Sequence, residues 1–141
     1  MRAAVDHIRS RPLFYGLCDG QFYLSDDAEW VRQRVGDSEM DPVAREEFQL
    51  AGYVTGAETL FPNVKQLQAG ECLIARQTEG GLMVKTHRFY RFLHREPAKI
   101  NEPELRADLD RITMRVMQRL IDYANGRLIV IPLSGGYDSR L

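Results

Sequence analysis

Arg127-Leu-Ile-Val-Ile-Pro-Leu-Ser134-Gly135-Gly136-Tyr137-Asp138-Ser139-Arg140-Leu141 is the stretch that decides how the chain is read. Its first half is an apolar, β-branched run, the pattern of a buried strand. The run enters Ser-Gly-Gly-x-Asp-Ser at Leu133 and Ser134. Two adjacent glycines remove the Cβ atoms that would keep an anion from the backbone, so consecutive N–H groups can converge on it. Ser134 and Ser139 add hydroxyl donors, and a helix following the loop would favour negative charge at its N-terminus. The local chemistry is that of a phosphate cradle. A frayed Ser-Gly-Gly-Tyr turn is the plain alternative, but an ordinary turn lacks the preceding strand.

The loop resembles the pyrophosphate-binding motif of the ATP-pyrophosphatase superfamily, whose members activate a carboxylate or carbonyl oxygen as an adenylate and release pyrophosphate. Neither the G-x-x-x-x-G-K-[ST] nor the G-x-G-x-x-G phosphate motif occurs in the chain. The resemblance implies that Leu133, Ser134, Gly135, Gly136, Asp138 and Ser139 hold the pyrophosphate portion of ATP. Asp138 is implied as a Mg²⁺ ligand, because a carboxylate beside phosphates needs a cation between them or loop amides on its oxygens.

Working outward, the 141 residues carry a net charge of −1, 44% hydrophobic and 28% charged residues. That balance gives no broad field for nucleic acid or an anionic membrane. No apolar run approaches the ~20 residues of a membrane span. Met1-Arg-Ala-Ala-Val-Asp-His7 has no apolar core of a secretory signal. Cys18 and Cys72 lack metal-type spacing and read as reduced, buried thiols of a cytoplasmic protein. His7, His87 and His94 form no ligand pattern. Arg88 to Arg95 mixes aromatic and basic residues but reads as strand end and linker rather than a base-stacking surface.

Pro12 to Cys18 and Gln21 to Ser25, joined by Asp19-Gly20, predict a β-hairpin. Asp26 with Glu29 predicts a capping box that opens a helix through Val35. Asp41-Pro42 predicts a second helix to about Leu50, closed by Gly52. The stretch from Thr55 to Gly70 reads as mostly irregular. Glu71 to Arg76 and Leu82 to His87 predict a second hairpin about Gly80-Gly81. Asn101 and Glu104 predict the capped start of a long helix. Leu105, Leu109, Ile112, Val116 and Leu120 form its buried stripe, and Asn125-Gly126 its stop.

Several pieces are similar, in this order, to the glutamine-hydrolysing asparagine synthetases. They are Arg11-Pro-Leu-Phe-Tyr15, Phe22-Tyr-Leu-Ser-Asp-Asp27, Phe48-Gln-Leu-Ala-Gly-Tyr53 and Thr59-Leu-Phe-Pro-Asn-Val-Lys-Gln-Leu-Gln-Ala-Gly70, with Ser134 to Ser139 following. The resemblance implies an α+β chain: an incomplete antiparallel β-rich glutaminase-like half, then a long helix and the first strand and pyrophosphate loop of an α/β synthetase domain. The implied divisions are 1–95, the C-terminal part of a class II amidotransferase-like domain; 96–126, linker and amphipathic helix; and 127–141, the start of the synthetase domain.

The resemblance implies an ATP-dependent amidoligase in the full-length protein. Its cofactors would be ATP and Mg²⁺. Its small-molecule partners would be glutamine or ammonia and a carboxylate acceptor such as aspartate, with no nucleic acid or membrane partner; an oligomer is compatible with it. The family's glutaminase nucleophile is a cysteine at the mature N-terminus, whereas this chain starts Met1-Arg2-Ala3 and lacks the Asn-Gly-Glu substrate motif. No glutaminase residue carries over, so the chain is expected to be a fragment, inactive alone. Tyr137 stands where the family has an aliphatic residue and Arg140 where a small one is common. Those departures leave open a related adenylating cyclase or sugar-acid amidating enzyme. A third reading is a packing or interaction module without catalysis.

Overall fold

A computed structural model describes residues 1–94, 101–132 and 135–136. Within them the chain is α+β, with two small antiparallel sheets and three helices, and it divides into units Met1–His94 and Arg95–Leu141. Among the described residues, no helix is long and apolar enough to cross a membrane.

The first unit begins with β1 (Arg2–Ala4), then the hairpin of β2 (Phe14–Cys18) and β3 (Gln21–Ser25). Asp19 and Gly20 make its turn at φ 51° and 73°, the two positive values a type I′ turn needs. Next come α1 (Ala28–Val35), α2 (Pro42–Ala51) and β4 (Val64–Gln66). The unit ends with the hairpin of β5 (Glu71–Thr78) and β6 (Gly81–Arg88). The strands form two three-stranded sheets, ordered β1-β5-β6 and β3-β2-β4.

Alternation along β2 explains the layering. Tyr15 packs with Phe22 of β3 on a core of Val5, Leu67, Leu73 and Ala75, so this face meets the other sheet. Phe14 and Cys18 point the opposite way, joining Tyr23 and Phe61 on Val31, Val35 and Val64, where α1 packs. Leu67 and Leu73 are wholly buried. Gly16 sits at the centre of the α1 face because an added Cβ would lie 2.6 Å from Val35 Cγ1 and 2.7 Å from the Asn63 carbonyl. Asp37, a buried carboxylate near this face, accepts from the Asn63 backbone N–H at 2.9 Å and its side-chain amide at 2.6 Å.

The start of α1 differs from the expectation. The cap of α1 is Asp27, not Asp26: its Oδ1 accepts from the Glu29 and Trp30 amides at 2.9 and 3.1 Å. That shift places Glu29 too early to reach back to the cap, so no capping box forms. Glu29 instead takes both Arg32 Nε and Nη2 at 2.7 and 2.6 Å and the Gln33 amide at 2.9 Å. α2 starts on Asp41, which accepts from the Ala44 amide at 2.8 Å, and ends on left-handed Gly52.

The Arg32 and Gln33 bonds hold the Glu29 carboxyl down at about 2, against an ordinary value of 4.5. A folded-state value below the unfolded one stabilises above the unfolded value, and this is lost as pH falls from 4.5 toward 2. The Glu29 carboxyl resonance is expected to titrate near that lower value and to move back up in Arg32→Gln. Titration at the ordinary carboxyl value would contradict the pairing.

β1 and β4 fall in stretches without a strand pattern. β1 exists through β5, with Arg2 opposite Ile74 and Ala4 opposite Cys72, and β4 through β2, with Val64 opposite Gly16. Cys18 and Cys72 are free but only half-buried, which corrects the expectation of buried thiols. Cys18 packs partly against the α1-side core, and Cys72 lies on β5, the middle strand of its sheet, on the face opposite Leu73.

In the second unit, α3 (Glu102–Ala124) has the expected span. Asn101 occupies the cap position without a side-chain cap bond. The stop is as read: Asn125 is left-handed at φ 46°, and its amide donates to Ile121 at 3.1 Å. The buried stripe is not. Leu105, Leu109, Ile112, Val116 and Leu120 are 40–64% exposed, and Ala124 is the buried residue of the helix. An apolar helix stripe is buried only by another layer, and the described part of this unit holds the helix and the segment after it.

Candidate functional site

The approach to the phosphate-type loop is set by the end of α3. Arg127 folds back over the helix terminus. Its backbone N–H and its Nε donate to the Ala124 carbonyl, both at 2.9 Å, and Nη2 donates to the Tyr123 carbonyl at 2.6 Å. Its guanidinium lies 5.1 Å from the Tyr123 ring centroid. Terminal carbonyls carry the negative end of the helix dipole, so a cation is favoured there. By its sequence pattern Arg127 is the start of a strand. A basic residue just past an Asn-Gly stop is the sequence signal for this second role.

The next residues depart from expectation. Residues 127–132 form no strand, and Leu128, Val130 and Ile131 are largely exposed. A strand's N–H and C=O groups need a neighbouring ladder, and no described strand pairs with this segment. The apolar pattern is that of a strand buried on both faces, so without flanking strands it has nothing to pair with or pack on.

Of the loop residues, Gly135 and Gly136 are described, both in a bend and exposed. A Cβ built on Gly135 meets no atom within 4 Å, so the backbone there is open to approach. Leu133, Ser134, Asp138 and Ser139 lie outside the described residues, and with them the assignment of Mg²⁺ to Asp138. Among the described residues, no group of three or more His, Cys, Asp or Glu could hold a metal ion.

The first unit offers two thiols and an apolar cleft. Burial, then the Asp19 carboxylate, pushes the Cys18 thiol up from its ordinary value. That favours the thiol over the nucleophilic thiolate. A cleft of about 400 Å³ is lined by Phe14, Phe48, Tyr53 and Leu60, with Glu29 and Glu58 at its wall. Both carboxylates are already engaged, Glu29 by Arg32 and Glu58 by Lys65. Neither arrangement provides a base beside a nucleophile. Incubation with glutamine is therefore expected to release no glutamate. Release abolished by Cys18→Ala or Cys72→Ala would show that one of these thiols is activated.

No protein-family model, curated protein or solved structure matches the chain.

Proposed function

We propose that this chain carries the nucleotide-binding loop of an ATP-dependent, asparagine synthetase-like amidoligase acting in the cytoplasm. The observation that carries the reading is the order of residues: an apolar β-branched run, then Ser134-Gly135-Gly136-Tyr137-Asp138-Ser139. The open backbone at Gly135 supports it, since a phosphate must come closer to a main-chain N–H than a side chain would permit.

In this reading the Gly135 and Gly136 amides and the Ser134 and Ser139 hydroxyls hold the pyrophosphate portion of ATP, with Leu133 delivering the chain into the loop. Asp138 holds Mg²⁺, which would neutralise charge as pyrophosphate leaves. The loop's contribution is positioning and preorganised hydrogen bonding rather than proton transfer. The acceptor is a carboxylate, aspartate by resemblance, and the nitrogen comes from glutamine or ammonia. Tyr137 and Arg140 favour a second reading, a related adenylating cyclase or sugar-acid amidating enzyme, because they depart from the family's pattern beside the loop.

The test is acceptor-dependent ATP–pyrophosphate exchange with and without Mg²⁺. Exchange that requires both acceptor and metal supports an adenylating site, and the acceptor that supports it distinguishes the two enzyme readings. Absence of exchange with every carboxylate acceptor, in full-length protein that melts cooperatively, contradicts both.

A further inference from the structure

The first unit holds a polar hollow of its own. A hollow of about 420 Å³ is lined by Arg9, Thr55, Gly56, Gln66, Gln68 and Arg88, among others, and no carboxylate lines it. Both arginines are half-buried.

The local structure explains why Arg9 is presented there. Asp6 closes a tight turn, accepting the Ile8 amide at 2.9 Å and the Ser10 amide at 3.1–3.2 Å, while the Arg9 amide donates to the Asp6 carbonyl at 3.1 Å. Arg9 sits at the tip with φ 55°, a left-handed conformation costly for a residue with a Cβ. Its Nη1 donates to Gln66 Oε1 at 2.5 Å. Gln66 is itself fixed, its Nε2 donating to the Glu58 carbonyl at 2.9 Å and the Gly56 carbonyl at 3.2 Å. On the other side, Arg88 Nε donates to the Ala69 carbonyl at 3.3 Å.

Each guanidinium is therefore anchored through one nitrogen on a neutral oxygen. Neither makes an ion pair among the described residues. The nearby carboxylates are committed elsewhere: Asp6 to its own turn, Glu71 to the Gln68 amide at 2.8 Å and Glu58 to Lys65. Glu71 stands opposite Arg88 in the β5–β6 register without forming an ion pair with it, so each half-buried guanidinium is held on a neutral oxygen and keeps donors for a ligand anion. The remaining N–H forks match the planar, two-oxygen geometry of a carboxylate or phosphate.

We propose that this hollow binds a small oxyanion, a carboxylate or phosphate group, between Arg9 and Arg88. The two guanidiniums supply the charge, and the Gln66 and Gln68 amides with the Thr55 hydroxyl complete the polar wall. This site is independent of the nucleotide loop and stands or falls separately from it.

The experiment is calorimetric titration of the whole chain with inorganic phosphate and, separately, with succinate, at constant ionic strength. Saturable one-site binding of either is expected, and the tighter of the two identifies the oxyanion as phosphate or carboxylate. Arg88→Gln and Arg9→Gln should each weaken it by about tenfold or more, while Arg45→Gln, on the exposed surface of α2, leaves it unchanged. Arg88→Lys tests the fork separately, because it retains charge without the paired donors, and should also weaken binding. Thermal melts of the unliganded variants report folding. If Arg9→Gln melts early, Arg88→Gln alone decides. No saturable binding of either anion, binding that survives Arg88→Gln, or equal weakening by Arg45→Gln would overturn the proposal.

Discussion

Gly70→Ala is expected to destabilise the first unit by about 2–5 kcal/mol, read as an early thermal or denaturant transition. Two independent costs add. Gly70 has φ +67°, where an L-residue costs roughly 1–2 kcal/mol. A Cβ there would also lie 2.6 Å from the Tyr90 carbonyl oxygen and 2.7 Å from Tyr90 Cβ, contacts that require the backbone to move. Overpacking of this kind costs about 1–3 kcal/mol.

The position cannot shift freely because Gly70 joins three segments. Its amide donates to the Asp6 carbonyl at 2.9 Å, and its carbonyl accepts from the Phe89 and Tyr90 amides at 2.8 and 3.1 Å. Stacking of His7 on Tyr90, centroids 4.1 Å apart, closes the same junction. Gly80→Ala is the control: an added Cβ there meets nothing within 4 Å, so it should be neutral or slightly stabilising. Equal melting of the two variants would contradict this account of the junction.

What the sequence made legible was local. Asp19-Gly20 fixes a hairpin because both residues tolerate positive φ, and the observed register from Phe14 opposite Ser25 to Cys18 opposite Gln21 follows from that turn. Asp41-Pro42 starts α2, and Asn125-Gly126 stops α3, for equally local reasons: a cap acceptor, a preset φ and a left-handed exit.

What stayed hidden depends on distant partners. Arg2-Ala-Ala carries no strand signal, yet it becomes β1 because Val5 donates to the Glu71 carbonyl and Ala75 to the Met1 carbonyl, across some seventy residues. Val64 to Gln66 sits among turn residues and becomes β4 by pairing with β2. The same dependence explains the over-reading of Leu105 to Leu120 and of residues 127–132. Periodicity says which face would be buried, but burial requires a second surface. At the two proposed sites the contrast is similar. The glycine loop is visible as a contiguous motif, whereas the Arg9 and Arg88 hollow joins residues 79 positions apart, which no local pattern reveals.

Asp138→Asn is expected to lower acceptor-dependent ATP–pyrophosphate exchange by about 10²-fold or more, the scale of losing one preorganised charge-stabilising group. The two side chains are nearly the same size, so the change removes charge rather than volume. A neutral amide is a weaker ligand for a hard cation such as Mg²⁺. Its melting temperature should stay near the parent's, which separates a chemical loss from unfolding. Gly135→Val gives a second line on the same loop: the branched side chain occupies the space where backbone and phosphate must meet, and exchange should fall without any change in charge.

The most direct measurement of the central claim is therefore pyrophosphate exchange by full-length Asp138→Asn beside the parent protein, at saturating Mg²⁺ and acceptor, with melts recorded in parallel. The account predicts a normally melting variant that has lost nearly all exchange. A variant that melts normally and exchanges at the parent rate would contradict the role assigned to the Ser134–Ser139 loop.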